Sequence, residues 1–303
     1  MFKRLFRRRA SKRANVQVET QAGQPSHSMV QERRHREDVP YALPKDLEEG
    51  QRLNLQHYIF RYFLRGNYAA PLTGTISTIL DVGSGTGIWG QEMARDFPSA
   101  RVFGLDLEPP QTVSLAASAT PLPSNYHFVQ GNLLEGLPFP DGMFDYTHQR
   151  MLVLGIPIHR WPDAIRELRR VTRPGGWVEL LELGTEIQPA GPAATKLLRW
   201  STNFLHSRGI DAPSMKHLGE MLTQQGLRSV VSRPLDIPLG AWDRHLGVLL
   251  EKDVVAAFQA IKLPTCATEG IQPNEFETCL QEAMQEWKNL KSTYRFYLAY
   301  GQV

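Results

Sequence analysis

The chain has 303 residues, of which 42% are hydrophobic, so it is long enough for one large core or two small ones. No apolar run approaches the roughly 18 residues that a membrane span needs, and the two cysteines, Cys266 and Cys279, lie far from any Cys/His cluster. These features argue against a transmembrane protein, a disulfide framework and a zinc site, and they predict a cytoplasmic globular protein.

The net charge of +3 conceals an uneven distribution. Seven of the 34 Lys/Arg residues fall within residues 1–13, which contain no acid, so the rest of the chain is mildly acidic. We therefore expect no nucleic-acid-binding face in the body of the protein. Residues 1–38 are polar and aperiodic, and we interpret them as a basic disordered tail suited to contact an anionic surface. An Arg-rich targeting peptide is an alternative for the same segment.

A helix is predicted after this tail. Apolar residues recur near helical spacing between Leu47 and Phe63, and Pro44 marks the start. We place a helical lid at residues 39–70, at the beginning of a single domain that covers residues 39–303.

From Ser77 the pattern alternates between short strands and helices. Strands are predicted at 77–82, 101–107, 126–131, 144–150 and 177–183, with helices at 88–97 and 160–172 and a weak helix near 111–118. This alternation predicts a parallel sheet with helices on both faces.

The C-terminal part continues the same sheet. Two further strands are predicted, at 227–235 and 292–301, and four helices, at 191–208, 213–226, 243–262 and 274–290. We interpret residues 188–226, after the fifth strand, as a helical insert that covers one edge of the sheet.

The stretch "ILDVGSGTGIWG", residues 79–90, places Gly83, Gly85 and Gly87 between a strand and a helix, where open α/β sheets bind ligands. A phosphate-binding P-loop is excluded because no Lys follows the glycines. The dinucleotide pattern fits poorly, since its third glycine would fall at Ile88. A nucleoside ligand without a pyrophosphate, such as S-adenosylmethionine, remains: the helix N-terminus favours its carboxylate, and Asp81 can offset its ammonium.

Two polar residues follow at the ends of later strands. Asp106 ends the second strand, where its carboxylate can accept both ribose hydroxyls of NAD or of S-adenosylmethionine. Asn132 follows the third strand and is a candidate for the adenine edge, with Leu133 packing on the adenine face.

Four stretches, "ILDVGSGTGIWG", "VFGLDLEP", "GLPFPDGMFD" and "ELRRVTRPGGWVELLE", resemble in order the motifs of class I S-adenosylmethionine-dependent methyltransferases. The resemblance implies an α/β fold with a Rossmann-like, seven-stranded, mostly parallel sheet, helices on both faces, the N-terminal lid and the insert after strand 5. It implies S-adenosylmethionine as cofactor. The candidate cofactor-binding residues are Asp81, Gly83, Ser84, Gly85, Gly87, Asp106, Leu107, Asn132, Leu133, Gln149 and Tyr41.

A narrower resemblance rests on "YALPKDLEEGQRLNLQHYIF", "GTGIW" and "DYTHQRML", which are similar to the subgroup related to fungal regulators of secondary metabolism. The chain departs from that subgroup at Gln149, where an apolar residue is usual, and at Asn132, where many members have Asp.

Methyl transfer needs alignment of two reactants and exclusion of water, and a base is optional. His148, near the end of the fourth strand, is the candidate catalytic base; the alternative is a purely structural histidine. His57 on the lid is expected either to cover the cofactor or simply to pack. The aromatic side chains of the insert and beyond, Trp200 and Trp242 among them, line either an acceptor pocket or the core. Asp141 and Asp145 do not form a metal cage, so we predict a metal-independent enzyme.

The sequence thus predicts transfer of a methyl group to an O, N or C nucleophile of a small molecule, such as a secondary metabolite. One alternative is a protein or RNA methyltransferase that docks through its basic N-terminus. Another is a non-catalytic regulatory protein that only binds the cofactor. The acceptor and the oligomeric state are not predicted.

Overall fold

A computed structural model of the protein describes residues 27–30, 33–36, 43, 47–110 and 121–303. Within the predicted tail, β1 (His27–Val30) pairs antiparallel with β2 (Arg33–Arg36), so this segment contains a short hairpin. The rest of the predicted tail and the weak helix near 111–118 lie outside the described residues.

The main sheet has seven strands in the order β5-β4-β3-β6-β7-β9-β8. Strand β9 runs antiparallel to both of its neighbours, and the other paired strands are parallel. The predicted α/β, Rossmann-like sheet is confirmed. The strands are β3 (Thr78–Val82), β4 (Arg101–Asp106), β5 (Tyr126–Gln130), β6 (Phe144–Arg150), β7 (Thr172–Gln188), β8 (Arg228–Pro238) and β9 (Thr293–Gln302).

Helices cover both faces of this sheet, so its central strand is buried on both sides. Strand β3 alternates Ile79 toward one hydrophobic cluster and Leu80 toward the other. Helix α2 (Ile88–Asp96) contributes Trp89 to the first cluster, and α3 (Trp161–Val171) contributes Leu168 to the second. A five-residue apolar strand with this burial is typical of a parallel sheet.

The helical cover is larger than the predicted insert. Helix α4 (Pro192–Ser207), a 3-10 turn (Ala212–His217) and α5 (Leu218–Gln224) lie between β7 and β8. Helices α6 (Leu246–Glu269) and α7 (Pro273–Leu290) lie between β8 and β9, and α4 packs against both. The boundary of 188–226 therefore accounts for only the first of two insertions that build the cover.

The predicted lid helix is α1 (Leu47–Leu64), and a buried ion pair joins it to α6. The Arg52 guanidinium donates to Asp253 Oδ1 at 2.6 Å and to both carboxylate oxygens of Glu49. Burial raises the pKa of Asp253, and Arg52 opposes that effect. Removing one member of a buried pair leaves the other charge uncompensated, so this contact fixes α1 against the cover. None of the described helices is long and apolar enough to cross a membrane.

Candidate functional site

A cavity opens at the carboxyl edge of the sheet, under α1. Its walls come from the ends of β3, β4, β5 and β6, and α1 contributes Glu49, Gly50, Leu53 and Gln56. Nine of the predicted site residues line it together: Asp81, Gly83, Ser84, Gly85, Asp106, Leu107, Asn132, Leu133 and His148. Gly87 and Gln149 lie off the cavity wall, and the prediction for Tyr41 falls outside the described residues.

The glycine loop leaves room for a ligand, because Gly83 and Gly85 adopt a backbone conformation that residues with a side chain rarely take. Gly83 and Gly85 have φ angles of 71° and 54°, in the left-handed region. A Cβ on Gly83 would come within 2.7 Å of the Leu152 side chain, and one on Gly85 within 3.3 Å of Leu53 on α1. The loop therefore presents bare backbone to the cavity. Gly87, also with positive φ, is the N-cap of α2 instead.

The Asp106 carboxylate binds the glycine loop as well as facing the cavity. Its Oδ2 accepts a hydrogen bond from the Gly85 amide at 2.8 Å, and its Oδ1 accepts one from the Leu107 amide at 2.7 Å. Asp106 therefore holds the glycine loop and lines the cavity, and its contact with ribose hydroxyls stays a prediction.

Asn132 begins a 3-10 turn, Leu133–Glu135, at the end of β5. Its Oδ1 accepts from the Leu134 amide at 3.0 Å, and its Nδ2 donates to Glu135 at 2.8 Å. One amide proton remains for a ligand. A direct contact of Asn132 with an adenine edge stays a prediction.

His148 lies at the base of the cavity and is almost fully buried. Its Nδ1 is 2.9 Å from Asp81 Oδ1, and its ring stacks on Trp89 with centroids 3.8 Å apart. An ionised carboxylate only accepts, so the Nδ1 proton belongs to the His148–Asp81 hydrogen bond and Nε2 carries a lone pair in the neutral ring. The arrangement is an oriented imidazole beside the ligand space.

Arg150 is a cavity residue that the sequence analysis missed. It follows His148 by two positions, and strand alternation brings both side chains to the same face. Its guanidinium donates to His57 Nδ1 at 3.1 Å and lies over the Phe60 ring. Within the described part of the chain, no carboxylate oxygen comes within ion-pair distance of it. The cavity therefore has a cationic wall, which the i+2 spacing from His148 could have revealed.

His57 is part of the lid helix α1, where it packs against α2, and it does not line the cavity. Burial lowers its pKa, which keeps the ring neutral despite the nearby Glu92. Its Nε2 lies 3.0 Å from Glu92 Oε2 on α2, and its Nδ1 accepts from Arg150. A second link from α1 reaches the glycine loop, where Thr86 Oγ1 donates to Asn54 Oδ1 at 2.6 Å. Of the two roles expected for His57, the structure shows packing.

The expectation that Gln149 contacts the cofactor requires correction. Strand alternation turns its side chain to the face opposite His148, where its Nε2 donates to Glu182 Oε1 at 3.0 Å. Glu182 also accepts from the backbone amides of Leu152 and Val153, at 3.2 and 2.9 Å. Gln149 and Glu182 thus support, from behind, the segment after β6 that borders the cavity.

Glu182 gives the stability a pH dependence. Burial raises its pKa from 4.5 to about 7, because the three hydrogen bonds only partly offset the desolvation of the charge. Its contribution to the free energy of unfolding is therefore fully present below pH 4.5 and is lost, by about 3 kcal/mol, as the pH rises to 7. We expect Glu182→Gln to lack this loss, so the free energy of unfolding of the variant relative to wild type rises over that interval.

Urea unfolding at pH 4.5 and pH 7.5 measures this difference. Glu282→Gln, an exposed substitution on α7, is the matched control, for which we expect the relative stability to stay constant. Equal changes for both variants would show that Glu182 ionises as freely as a surface carboxylate.

A second cavity, which we call the inner chamber, lies beyond the first, between α1, α4, α6 and β9. Leu53, Gln56 and Met151 line both, so the two are neighbours across a shared wall. The rest of the chamber is largely apolar. Its lining includes Leu198, Leu205, Val254, Ala257, Phe258, Ile261, Tyr294 and Phe296.

The aromatic side chains expected to form an acceptor pocket lie elsewhere. Trp200 is buried and stacks on Phe276, and neither residue lines a cavity wall described above. The Trp242 indole donates to the backbone carbonyls of Leu239 and Ser292. Trp200 is a core residue, because α4 turns it toward α7 and not toward the chamber, and Trp242 is half-buried away from both cavities. In the described ranges no group of three or more His, Cys, Asp or Glu side chains could hold a metal ion.

Comparison with known proteins gives a matching family and several relatives. The family described as a methyltransferase domain matches residues 79–176. N-methyltransferase sirN of Leptosphaeria maculans is 28% identical over 279 residues, which cover 88% of this chain and 96% of that protein. Methyltransferase str3 of Strobilurus tenacellus is 37% identical over 140 residues, 46% of this chain and 47% of that one. Secondary metabolism regulator laeA of Coprinopsis cinerea is 33% identical over 149 residues, 47% of this chain and 35% of that protein.

The chain therefore spans less than half of str3 and laeA but nearly all of sirN. The matched family covers the glycine loop and the ends of the four strands that build the first cavity. Together with the seven-stranded sheet, these matches support a class I S-adenosylmethionine-dependent methyltransferase. Within that class its relatives are methyltransferases of fungi, and its cofactor is S-adenosylmethionine.

The residues present fit this cofactor. The bare glycine backbone is a cradle that a Cβ at Gly83 or Gly85 would fill. The carboxylate of Asp106 suits vicinal ribose hydroxyls, and Asp81 and Arg150 suit the ammonium and carboxylate of an amino acid end.

Proposed function

We propose that this protein methylates a small, largely apolar molecule of secondary metabolism. The observation that carries the proposal is the shared wall between the first cavity and the inner chamber: a donor space and an apolar space meet at Leu53, Gln56 and Met151. A pocket enclosed by α1 and the helical cover suits a small acceptor better than a protein or RNA chain. The names of the relatives sirN and laeA support the same class of substrate.

In this proposal the cofactor is held by the residues at the strand ends. Asp106 binds the ribose hydroxyls, the backbone at Gly83 and Gly85 approaches the amino acid end, and Leu133 packs on the base. When bound, S-adenosylmethionine supplies a methyl group activated on a sulfonium centre. The chain itself supplies alignment, and positioning of two reactants is worth roughly 7–11 kcal/mol of the barrier in favourable cases.

Water exclusion and proton transfer fall to α1 and His148. The links of α1 to the glycine loop and to α6, through Asn54 and Arg52, hold it over the cavity, where it keeps solvent from the donor. His148 can take up a proton at Nε2 from an acceptor O–H or N–H, because Asp81 fixes its orientation and stabilises the imidazolium that forms.

The test is incubation of the purified protein with methyl-labelled S-adenosylmethionine and a whole-cell extract of its native host, which contains small molecules, protein and RNA. We expect label in a low-molecular-weight product extractable into organic solvent. Boiled protein is the control for non-enzymatic labelling. Label confined to protein or RNA, and removed when residues 1–13 are deleted, would instead favour the docking-arm alternative, whose segment lies outside the described residues.

A further inference from the structure

The hydroxyl group of Tyr294 lies in the largely apolar lining of the inner chamber. Tyr294 on β9 is buried, with only 5% of its surface exposed, and its ring packs on Phe296 at a centroid distance of 5.3 Å. The hydroxyl of Tyr294 has no hydrogen-bond partner among the residues that the structure describes. Tyr294 lines the chamber, so this hydroxyl can donate a hydrogen bond to a ligand there.

The Tyr294 phenol remains a donor over the whole physiological pH range. Burial raises its pKa, and the negative charges of Glu186 and Asp253 raise it further. Among the other polar groups nearby, the Asp253 oxygens accept from Arg52 and Gln56, and Ser201 Oγ donates to the Leu197 carbonyl. A ligand oxygen that accepts a hydrogen bond is thus what the Tyr294 hydroxyl lacks.

The size of the chamber limits what part of a ligand it can hold. Its volume is about 80 Å³, against about 150 Å³ for an engineered cavity that binds benzene. The chamber therefore holds a group smaller than a benzene ring, and the rest of the ligand must pass Gln56 and Met151 toward the first cavity. The reacting atom then lies on the side of the shared wall that faces His148.

We propose that the inner chamber is the acceptor subsite, and that it takes the apolar end of a neutral acceptor whose carbonyl or ether oxygen accepts a hydrogen bond from Tyr294. This inference rests on the proposed function, since it names the substrate class of the same site. Tyr294 is a specificity-determining residue in it, because it selects the oxygen and takes no part in methyl transfer.

Binding of two small probes tests the subsite without knowledge of the acceptor. Acetophenone carries a carbonyl oxygen, and α-methylstyrene has the same shape with a CH₂ group in its place. Saturation-transfer NMR with each probe up to about 1 mM gives their relative affinities. We expect wild type to prefer acetophenone about 3- to 10-fold, as one neutral hydrogen bond allows, and Tyr294→Phe to lose the preference while it still binds α-methylstyrene.

Tyr300→Phe is the matched control, because it lies on the same strand, packs on Trp177 and lines neither cavity. It should keep the wild-type preference, and both variants should bind S-adenosylmethionine as wild type does in calorimetry. No binding of either probe, or a preference that survives in Tyr294→Phe, overturns the subsite. If the probe experiment fails but label still enters a small product, the subsite is wrong and the proposed function stands. If the probes bind as expected but no labelled product forms, the proposed function is wrong and the binding of the probes stands.

Discussion

Replacement of Asp106 with alanine is expected to weaken S-adenosylmethionine binding by at least 1–3 kcal/mol, about 5- to 150-fold. The reason is twofold. The ribose hydroxyls lose a charged acceptor, and the Gly85 and Leu107 amides lose the oxygens that now accept from them at 2.8 and 2.7 Å. The glycine loop then loses one of the hydrogen bonds that join it to β4, and those from the Gly83 and Ser84 amides to the Leu105 carbonyl remain. Calorimetry on the purified variant measures the affinity.

Two variants separate these contributions. Asp106→Asn keeps one acceptor oxygen without the charge, so we expect an affinity between wild type and Asp106→Ala. Asp163→Ala removes an exposed carboxylate on α3 that pairs only with neighbouring arginines, and it should bind the cofactor as wild type does. An unchanged affinity of Asp106→Ala, with the circular dichroism of the folded protein, would remove Asp106 from the site.

The first cavity was predictable because its residues follow a local rule. Each candidate acid or amide stands at the carboxyl end of a strand, and parallel strands bring those ends to one edge. Asp81, Asp106 and Asn132 therefore meet although up to 51 positions separate them. Position at a strand end was not enough for Gln149. Side chains alternate between the two faces of the sheet along β6, and this alternation turns Gln149 away from the face that carries His148.

The inner chamber was not predictable by such a rule. Arg52 and Asp253 are 201 positions apart, and no sequence pattern on α1 or α6 indicates their contact. In the sequence, Tyr294 is one of several alternating aromatic residues on β9. Whether its hydroxyl has a hydrogen-bond partner depends on which helices pack over it. Burial of side chains in a cover made of two insertions is a tertiary property. Aromatic content therefore pointed to Trp200 and Trp242, whereas the aromatic residues that line the chamber are Phe258, Tyr294 and Phe296.

Replacement of Gly85 with valine is expected to reduce S-adenosylmethionine affinity by more than 100-fold, about 3 kcal/mol or more. The φ angle of 54° is disfavoured for a β-branched side chain, and the new Cβ would stand 3.3 Å from Leu53 across the cavity. The side chain would therefore occupy ligand space and also push the loop away from Asp106, whose hydrogen bond to the Gly85 amide it strains.

Strain and occupation of the cavity can be separated with Gly74→Val. Gly74 has a φ of 82°, and a Cβ there would meet no atom within 4 Å. Both variants carry the cost of a left-handed valine, about 1–2 kcal/mol of stability, so their thermal unfolding should be lowered to a similar extent. Only Gly85→Val should lose the cofactor, because only it places atoms in the cavity. If Gly85→Val folds and binds S-adenosylmethionine with the affinity of Gly74→Val, the ligand does not approach the loop at Gly85, and the bare backbone there serves the packing of α1 alone.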